Sequence, residues 1–291
     1  MKKILITGKN SYVGTSLMSW LRNYPEQYYV DSISLKDEKW RIEEFSKYDV
    51  VIHVAGIAHI KETEKNRELY YKINRDLAFE VAQKAKFEEV KQFIFLSSMS
   101  VYGIENGGID KHSTLNPRSN YGISKLQAEE LIKTIQDGIF KVAIIRPPMI
   151  YGKGCKGNYI RLASLAIKTP IFPNINNKRS MIYIDNLSEF IKILIDDNAS
   201  GTFCPQNNEY VNTSELVMQI SKSHGKKLIL TKVFNSLLGL VKINTVNKVF
   251  GDLFYEKSVS KYSKDYNVKD FKDSIKLTEG MECNLNVGKE L

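Results

Sequence analysis

Short apolar runs alternate with stretches in which apolar residues recur every three or four positions. Lys3 to Thr7 reads as a strand, and Gly8-Lys9-Asn10-Ser11-Tyr12-Val13-Gly14 leads into a helical pattern carrying Leu17, Trp20 and Leu21. A second strand is expected around Tyr28–Leu35 and a third over Asp49–Gly56, ending in small residues. The pattern from Glu62 to Lys86 predicts one long helix with Leu69, Ile73, Leu77, Val81 and Ala85 on a single stripe. Phe93 to Leu96 is an apolar run ending in hydroxyls, as a buried strand does at the rim of a parallel sheet. A polar loop follows, then a helix opening near Tyr121. The strand beginning at Lys141 meets Pro147-Pro148, which cannot continue a central strand, so the sheet must release the chain there. A glycine-rich loop, a helix over Tyr159–Lys168, a strand over Met181–Ile184 and a helix from Asp185-Asn186 to near Asp197 complete this part.

Alternating strands and helices predict an α/β fold with a doubly wound parallel sheet. Beyond Ser200 the period is less regular: a helix at Ser214–Ser223, a strand at Lys227–Val233, an apolar helical stretch near Leu237–Phe254, and mixed structure to Leu291. These imply a smaller C-terminal α+β substrate lobe. Residues 1–152 with about 180–198 are expected to bind a dinucleotide, and 153–179 with 199–291 a substrate.

Composition narrows the class. With 43% hydrophobic and 26% charged residues, the 291-residue chain is an ordinary globular protein with ample core. The apolar run after Met1 is far too short for a signal peptide, and no window approaches a membrane span. Cys155, Cys204 and Cys283 are odd in number and lack metal-ligand spacing, so reduced thiols in a cytoplasm are expected, with no metal. The net charge is +9, and residues 222–291 hold 13 lysines and no arginine against 8 acids. Such a surface attracts an anionic nucleotide substrate or sits near an acidic membrane, or is simply a solvated face. No basic block interleaved with aromatics forms a nucleic-acid module, so nucleic acid is not an expected partner.

Candidate chemistry centres on Tyr121 and Lys125, four residues apart and so on one helix face. A phenol has a pKa of about 10, and a neighbouring ammonium lowers it; a three-unit shift takes about 4 kcal/mol, which a lysine and a positively charged nicotinamide together would supply. Ser98 or Ser100, at the end of the preceding strand, can hold a substrate oxygen in line. Tyr-x-x-x-Lys also arises by chance on amphipathic helices, so the pair points to chemistry only in company. Strand, glycine turn and helix at Gly8–Gly14 give that company: this is the setting of a dinucleotide fingerprint, with Ser11 where a middle glycine commonly stands. After the second strand Asp31 falls inside the strand, while Ser34 and Lys36 would suit a 2′-phosphate, leaving NAD and NADP both open. Asn74 reaches a backbone group near the site or is a surface residue; His53 is structural; His59 meets substrate or belongs to a loop.

Together Thr7-Gly8 to Gly14, His53 to Gly56, Ser97 to Gly103, Tyr121 to Lys125, Arg146 to Gly152 and Arg179 to Asp185 resemble the extended short-chain dehydrogenase/reductases. This is the NAD-dependent epimerase/dehydratase group, built on a Rossmann fold. Within it, Arg146–Gly152 with Asn158, and Asn177–Tyr183, resemble the bacterial UDP-sugar 4-ketoreductases of capsule and O-antigen pathways. UDP-hexose 4-epimerases share nearly all these motifs. The resemblance implies Ser98, Tyr121 and Lys125 as catalytic residues. It assigns Gly8, Asn10, Ser11, Tyr12, Val13, Gly14, Ala55, Gly56, Asn74, Pro147 and Pro148 to the cofactor, with Ser34 and Lys36 at its adenosine end. Ser100, Met149, Asn158 and Arg179 fall to the UDP-sugar substrate. The departures are Ser11, the missing acid after the second strand, and an abbreviated segment between Lys36 and Asp49. The leading expectation is reduction of a UDP-4-keto-6-deoxy-HexNAc at C4 by NAD(P)H. Epimerisation of a UDP-hexose with tightly held NAD is the alternative, and a non-catalytic dinucleotide sensor a minor one. The family also implies a homodimer.

Overall fold

The structure, a computed structural model, describes residues 1–58, 60–233, 235 and 249–280. In chain order these form β1 (Lys2–Thr7), α1 (Tyr12–Leu21), β2 (Tyr28–Ile33), β3 (Val50–His53), α2 (Arg67–Tyr71), α3 (Leu77–Phe87), β4 (Gln92–Leu96), β5 (Gly107–Ile109), α4 (Asn120–Thr134), β6 (Lys141–Ile145), β7 (Met149–Tyr151) and α5 (Asn158–Lys168). There follow β8 (Ile171–Pro173), β9 (Met181–Tyr183), α6 (Ile184–Asp196), β10 (Gly201–Phe203), α7 (Thr213–Ser223), β11 (Ile229–Thr231), β12 (Leu253–Tyr255), α8 (Lys257–Ser260) and α9 (Phe271–Thr278).

Six strands make one parallel sheet in the order β10-β6-β4-β3-β1-β2. Side chains alternate across a strand, so neighbouring positions in register feed two different cores. Ile6, Ile52, Ile94 and Ala143 stand side by side and join one buried cluster with Leu17, Leu187 and Phe190 of α1 and α6. Leu5, Val51, Phe93 and Val142, one residue back, join the other with Val81 and Ala85 of α3 and Ile132 of α4. A sheet apolar on both faces must be covered on both, which is the doubly wound α/β architecture. From β1 the chain turns first toward β2 and then, from β3 onward, the other way. That reversal opens a crevice at the carboxyl ends of β1 and β3. β10 falls just past residue 198, where the dinucleotide-binding part was expected to end, yet it pairs with β6 in the central sheet.

Three parallel two-stranded ladders lie outside that sheet: β7 with β9, β8 with β11, and β5 with β12. The first begins just after Pro147-Pro148 have released the chain from β6. The segment between Lys36 and Asp49 holds no strand, only a short turn of helix over Glu38–Arg41, and it buries Trp40, Phe45 and Tyr48.

The expected single helix over Glu62–Lys86 is broken. A turn of 3-10 helix at Glu64–Asn66 and then α2 lead into a π turn at Lys72–Asp76, and α3 follows. One added residue per turn rotates the register, so the buried positions are Tyr70, Asn74, Ala78, Val81, Ala82 and Ala85, whereas Leu69, Ile73 and Leu77 line the cleft. The loop before α4 also contains β5, paired with β12, where Phe254 had been expected to be helical. Residues 237–248 of that expected helix, with His59 and Cys283, lie outside the described residues. Cys155 and Cys204 are buried free thiols.

Candidate active site

The glycine turn closes tightly after β1. Gly8 has φ 100°, and the Gly8 and Lys9 N–H groups both donate to the Ile33 carbonyl at 3.0 Å. Ser11 caps α1, its Oγ accepting from the Gly14 N–H at 3.0 Å. A Cβ on Gly14 would lie 2.9 Å from the Gly8 carbonyl oxygen and 2.7 Å from Ser11 Oγ, so helix and strand meet there with no room to spare. Ser11 therefore spends its hydroxyl on its own helix while remaining small enough for close backbone approach.

The reactive side chains come from α4, which carries Tyr121 and Lys125, and from the turn after β4, which carries Ser98. Lys125 is buried on α4 and donates to the Leu96 carbonyl at 2.8 Å, with its ammonium 4.7 Å from the centre of the Phe95 ring. Burial pulls its pKa down to about 8, against an opposing pull from Glu129. Tyr121 is partly open to the cleft. Burial of its oxygen raises the phenol pKa, and a hydrogen bond with Ser98 works the other way. Burial outweighs the depression expected from a neighbouring ammonium: desolvation is the largest influence on this phenol, while the Lys125 ammonium donates to the Leu96 carbonyl. Ser98 opens a short helical turn, accepting from the Ser100 N–H and donating to Ser100 Oγ, each at 3.1 Å, so the two candidate hydroxyls are coupled.

Asn74 is buried in the π turn and acts from behind the cleft. Its Oδ1 accepts from Ile57 N at 2.9 Å, and its Nδ2 donates to the Ile57 carbonyl at 3.0 Å and to Ser124 Oγ at 3.2 Å. It fixes the strand-end loop against α4. A Cβ on Gly56 would meet Asn74 Oδ1 at 2.9 Å and Lys125 Nζ at 3.4 Å, which is why that loop carries so small a residue. His53 is fully buried, Nδ1 against Thr7 Oγ1 at 2.9 Å, between Phe93 and Phe95; it is structural, and burial holds its pKa near 3.

One cleft of about 1790 Å³ joins these parts. Of the sequence-derived candidates, Gly8 to Val13, Ser34, Lys36, Ala55, Gly56, Ser98, Ser100, Tyr121, Lys125, Pro147, Pro148, Met149, Asn158 and Arg179 line it. Gly14 and Asn74 do not, and support it from beneath. At one end Asn158 opens α5; Arg179 donates to the Gly251 carbonyl at 2.9 Å, and burial lowers its pKa against the pull of Asp252. At the other end Arg41 is paired with Glu38 and Glu80; Asp31, inside β2 and not on the cleft wall, is engaged by the Tyr48 hydroxyl at 2.7 Å.

Sequence reasoning missed several supports. Glu62 accepts from the N–H groups of Asn120 at 3.0 Å and Tyr121 at 3.1 Å, holding the start of α4. Glu129 and Arg146 form a buried ion pair beneath the strand ends, joined by Ser97 Oγ and the Tyr102 hydroxyl. Only the position of Glu129, one turn beyond Lys125 on α4, gave a hint. Lys156 also lines the cleft.

Comparison with known proteins agrees with this geometry. The family model described as NAD dependent epimerase/dehydratase matches residues 4–204. A UDP-glucose 4-epimerase of Vibrio cholerae is 30% identical over 89% of this chain and 89% of its own length. The N-acetyl-alpha-D-glucosaminyl-diphospho-ditrans,octacis-undecaprenol 4-epimerase of Escherichia coli O157:H7 is 27% identical over 77% of this chain and 73% of its own. Among solved structures, UDP-glucuronic acid 4-epimerase from Bacillus cereus in complex with NAD superposes with a TM-score of 0.73 at 18% identity, covering 95% of this chain and 97% of that one. The glycine turn fits such a cofactor: Gly8 at φ 100° lets the chain turn tightly over the N-terminus of α1 beside Ala55, and Gly14 lets helix and turn meet closely beneath it. The chain belongs to the NAD-dependent epimerase/dehydratase family and is an enzyme that works with a nicotinamide dinucleotide, NAD or NADP.

Proposed function

We propose that this enzyme inverts C4 of a diphospho-linked sugar, oxidising and re-reducing that carbon. The observation that carries the reading is one cleft holding a dinucleotide turn, the Tyr121–Ser98 hydroxyl pair and Lys125. The nicotinamide, when bound, supplies hydride transfer. The chain's own residues do the rest. Tyr121 exchanges the proton of the C4 oxygen, Ser98 holds that oxygen in line, and Lys125 offers its ammonium to the cofactor ribose. Asn74 keeps the strand-end loop and α4 in register, and Met149, Asn158 and Arg179 receive the sugar diphosphate. An arginine fork is suited to a diphosphate, with which it makes paired, charge-assisted bonds. Residues 1–152 with about 180–198 and the strand β10 act as the cofactor lobe and the remainder as the substrate lobe, in a homodimer. The similarity to two 4-epimerases supports inversion, and the undecaprenol-linked substrate in the name of one of them supports a role in surface polysaccharide precursor synthesis.

A 4-ketoreductase is the second reading, favoured by Tyr121 itself. A phenol whose pKa is raised by burial is protonated at neutral pH and ready to donate to a new alkoxide. The test incubates the purified protein with UDP-galactose and UDP-GlcNAc, each without added cofactor, and separately with a UDP-4-keto-6-deoxy-HexNAc plus NADH or NADPH. Epimer formation without added cofactor is the expected result. Turnover confined to the keto sugar replaces inversion by reduction, and unchanged turnover in Tyr121→Phe refutes the role given to the phenol.

A further inference from the structure

The charge of this chain is not spread evenly. Between Asp137 and Asp185 there is no acid, and none between Glu215 and Asp252; these two segments carry 14 lysines and arginines. They also meet in space. α5 packs on α7, and β8, which follows α5, pairs with β11, which follows α7. On this same face the structure exposes large aliphatic side chains. Ile160, Leu165 and Ile167 project from α5, whose buried side is Tyr159, Leu162, Ala163 and Ala166. Ile171 and Ile229 are direct neighbours in the β8–β11 ladder, 46% and 63% exposed, while Phe172 and Leu230 turn inward. Val233, two residues past the end of β11, is 79% exposed.

Around these aliphatics stand Arg161, Lys168, Lys226, Lys227 and Lys232, all exposed and, among the described residues, in no ion pair. Of the acids on or beside the packed elements, Glu215 stands in the first turn of α7, and Glu279, just past α9, is turned inward onto the Tyr159 hydroxyl and His224. Exposed aliphatics interleaved with unpaired cations suit an interface that is apolar at depth and anionic at its surface. The patch also touches the site, because Asn158 and Lys156, at the start of α5, line the cleft two residues and one turn from Ile160.

We propose that the face formed by α5 and the β8–β11 ladder docks on a bilayer containing acidic lipids, seating the substrate end of the cleft at the headgroup layer. Aliphatic side chains enter the headgroup boundary, and the cations stay at phosphate level. A nucleic acid would meet the cations but leave the isoleucines in water. A second copy of this chain would set the same cations against each other, since an isologous contact places the same patch on both sides. The proposal is independent of which sugar is turned over, because it is read by binding alone.

The test is co-sedimentation of the full chain with vesicles of phosphatidylcholine alone and of equal parts phosphatidylcholine and phosphatidylglycerol. Binding is expected to the mixed vesicles, falling with added salt, and not to phosphatidylcholine alone. Each cation removed is expected to weaken binding roughly fivefold, so Arg161→Gln with Lys168→Gln and Lys227→Gln costs roughly a hundredfold. Ile167→Ser with Ile229→Ser is expected to cost at least about tenfold, as lost apolar insertion requires. Ile167 and Ile229 are 39% and 63% exposed, so thermal unfolding of each variant is compared with wild type to separate lost docking from lost fold. Absence of vesicle binding, equal binding to both compositions, or an isoleucine variant that binds like wild type overturns the proposal. So does tighter binding to duplex DNA than to mixed vesicles, or an isoleucine variant that dissociates a dimer on size-exclusion chromatography.

Discussion

Acid should destabilise this enzyme through one side chain in particular, His53. The imidazole is fully buried between two phenylalanines, with Nδ1 on Thr7 and no partner at Nε2 among the described residues. Protonation would bury a cation with nothing to meet it, and the Lys125 charge nearby adds to the cost. Burial accordingly holds the folded-state pKa at about 3, against about 6.5 in the unfolded chain. The sign follows from linkage. Between those two values the unfolded state binds one proton more than the folded state, so stability is lost as pH falls through 6.5 and levels off near 3. The slope approaches about 1.4 kcal/mol per pH unit, which makes the loss from pH 7 to pH 5 about 2 kcal/mol. Urea unfolding of wild type and His53→Asn at both pH values isolates the effect. Asparagine keeps a hydrogen-bonding group for Thr7 and removes the titration, so the variant should lose about 2 kcal/mol less than wild type over that interval. Equal losses in the two proteins would refute the reasoning, since carboxylates elsewhere would then account for all the acid sensitivity.

Three further outcomes follow from the site. Glu129→Ala leaves the Arg146 charge buried and alone; urea unfolding should show a loss of about 3–5 kcal/mol, while Glu129→Gln retains part of it. Gly103, at φ 66°, faces the Asn116 carbonyl so closely that a Cβ would lie 1.8 Å from its oxygen. Gly103→Ala should therefore displace the loop leading to Tyr121, costing at least about 2 kcal/mol by thermal unfolding and lowering turnover together with stability. Lys125 keeps its proton below about 8, so kcat/KM should fall on an alkaline limb with an apparent pKa near that value, and Lys125→Met should remove the activity rather than shift the limb.

Much of the fold was legible because its signals are local. Apolar runs such as Lys3–Thr7 and Phe93–Leu96 are strands because a sheet covered on both faces needs no polar alternation. Pro147-Pro148 ended a strand because neither residue can donate to a ladder. The Tyr121 helix was legible for the same reason: a fixed four-residue spacing decides its face. What escaped was set by distant partners. The π turn at Lys72–Asp76 lets Asn74 reach Ile57 and Ser124, and nothing within the apolar stripe Leu69–Ala85 signals that insertion. β5 read as loop because Gly107-Gly108-Ile109 has no strand propensity of its own; it is a strand only because β12 supplies its partner. Nor could the sequence show that burial raises the Tyr121 pKa in the chain alone, because the balance of burial against charge depends on three-dimensional packing.

The β5–β12 ladder has a consequence for how the chain is made. Its two halves are separated by about half of the sequence, and β12 brings Leu253 to the cleft wall and the Tyr255 hydroxyl to the Arg146 carbonyl. During synthesis the central sheet can assemble from neighbours already extruded, whereas Gly107–Ile109 must wait for the late strand. Closure of so long a loop is the slow kind of event. Maturation of the catalytic cleft should thus lag behind collapse of the nucleotide-binding core, with the last step a zipping of one three-residue ribbon onto another.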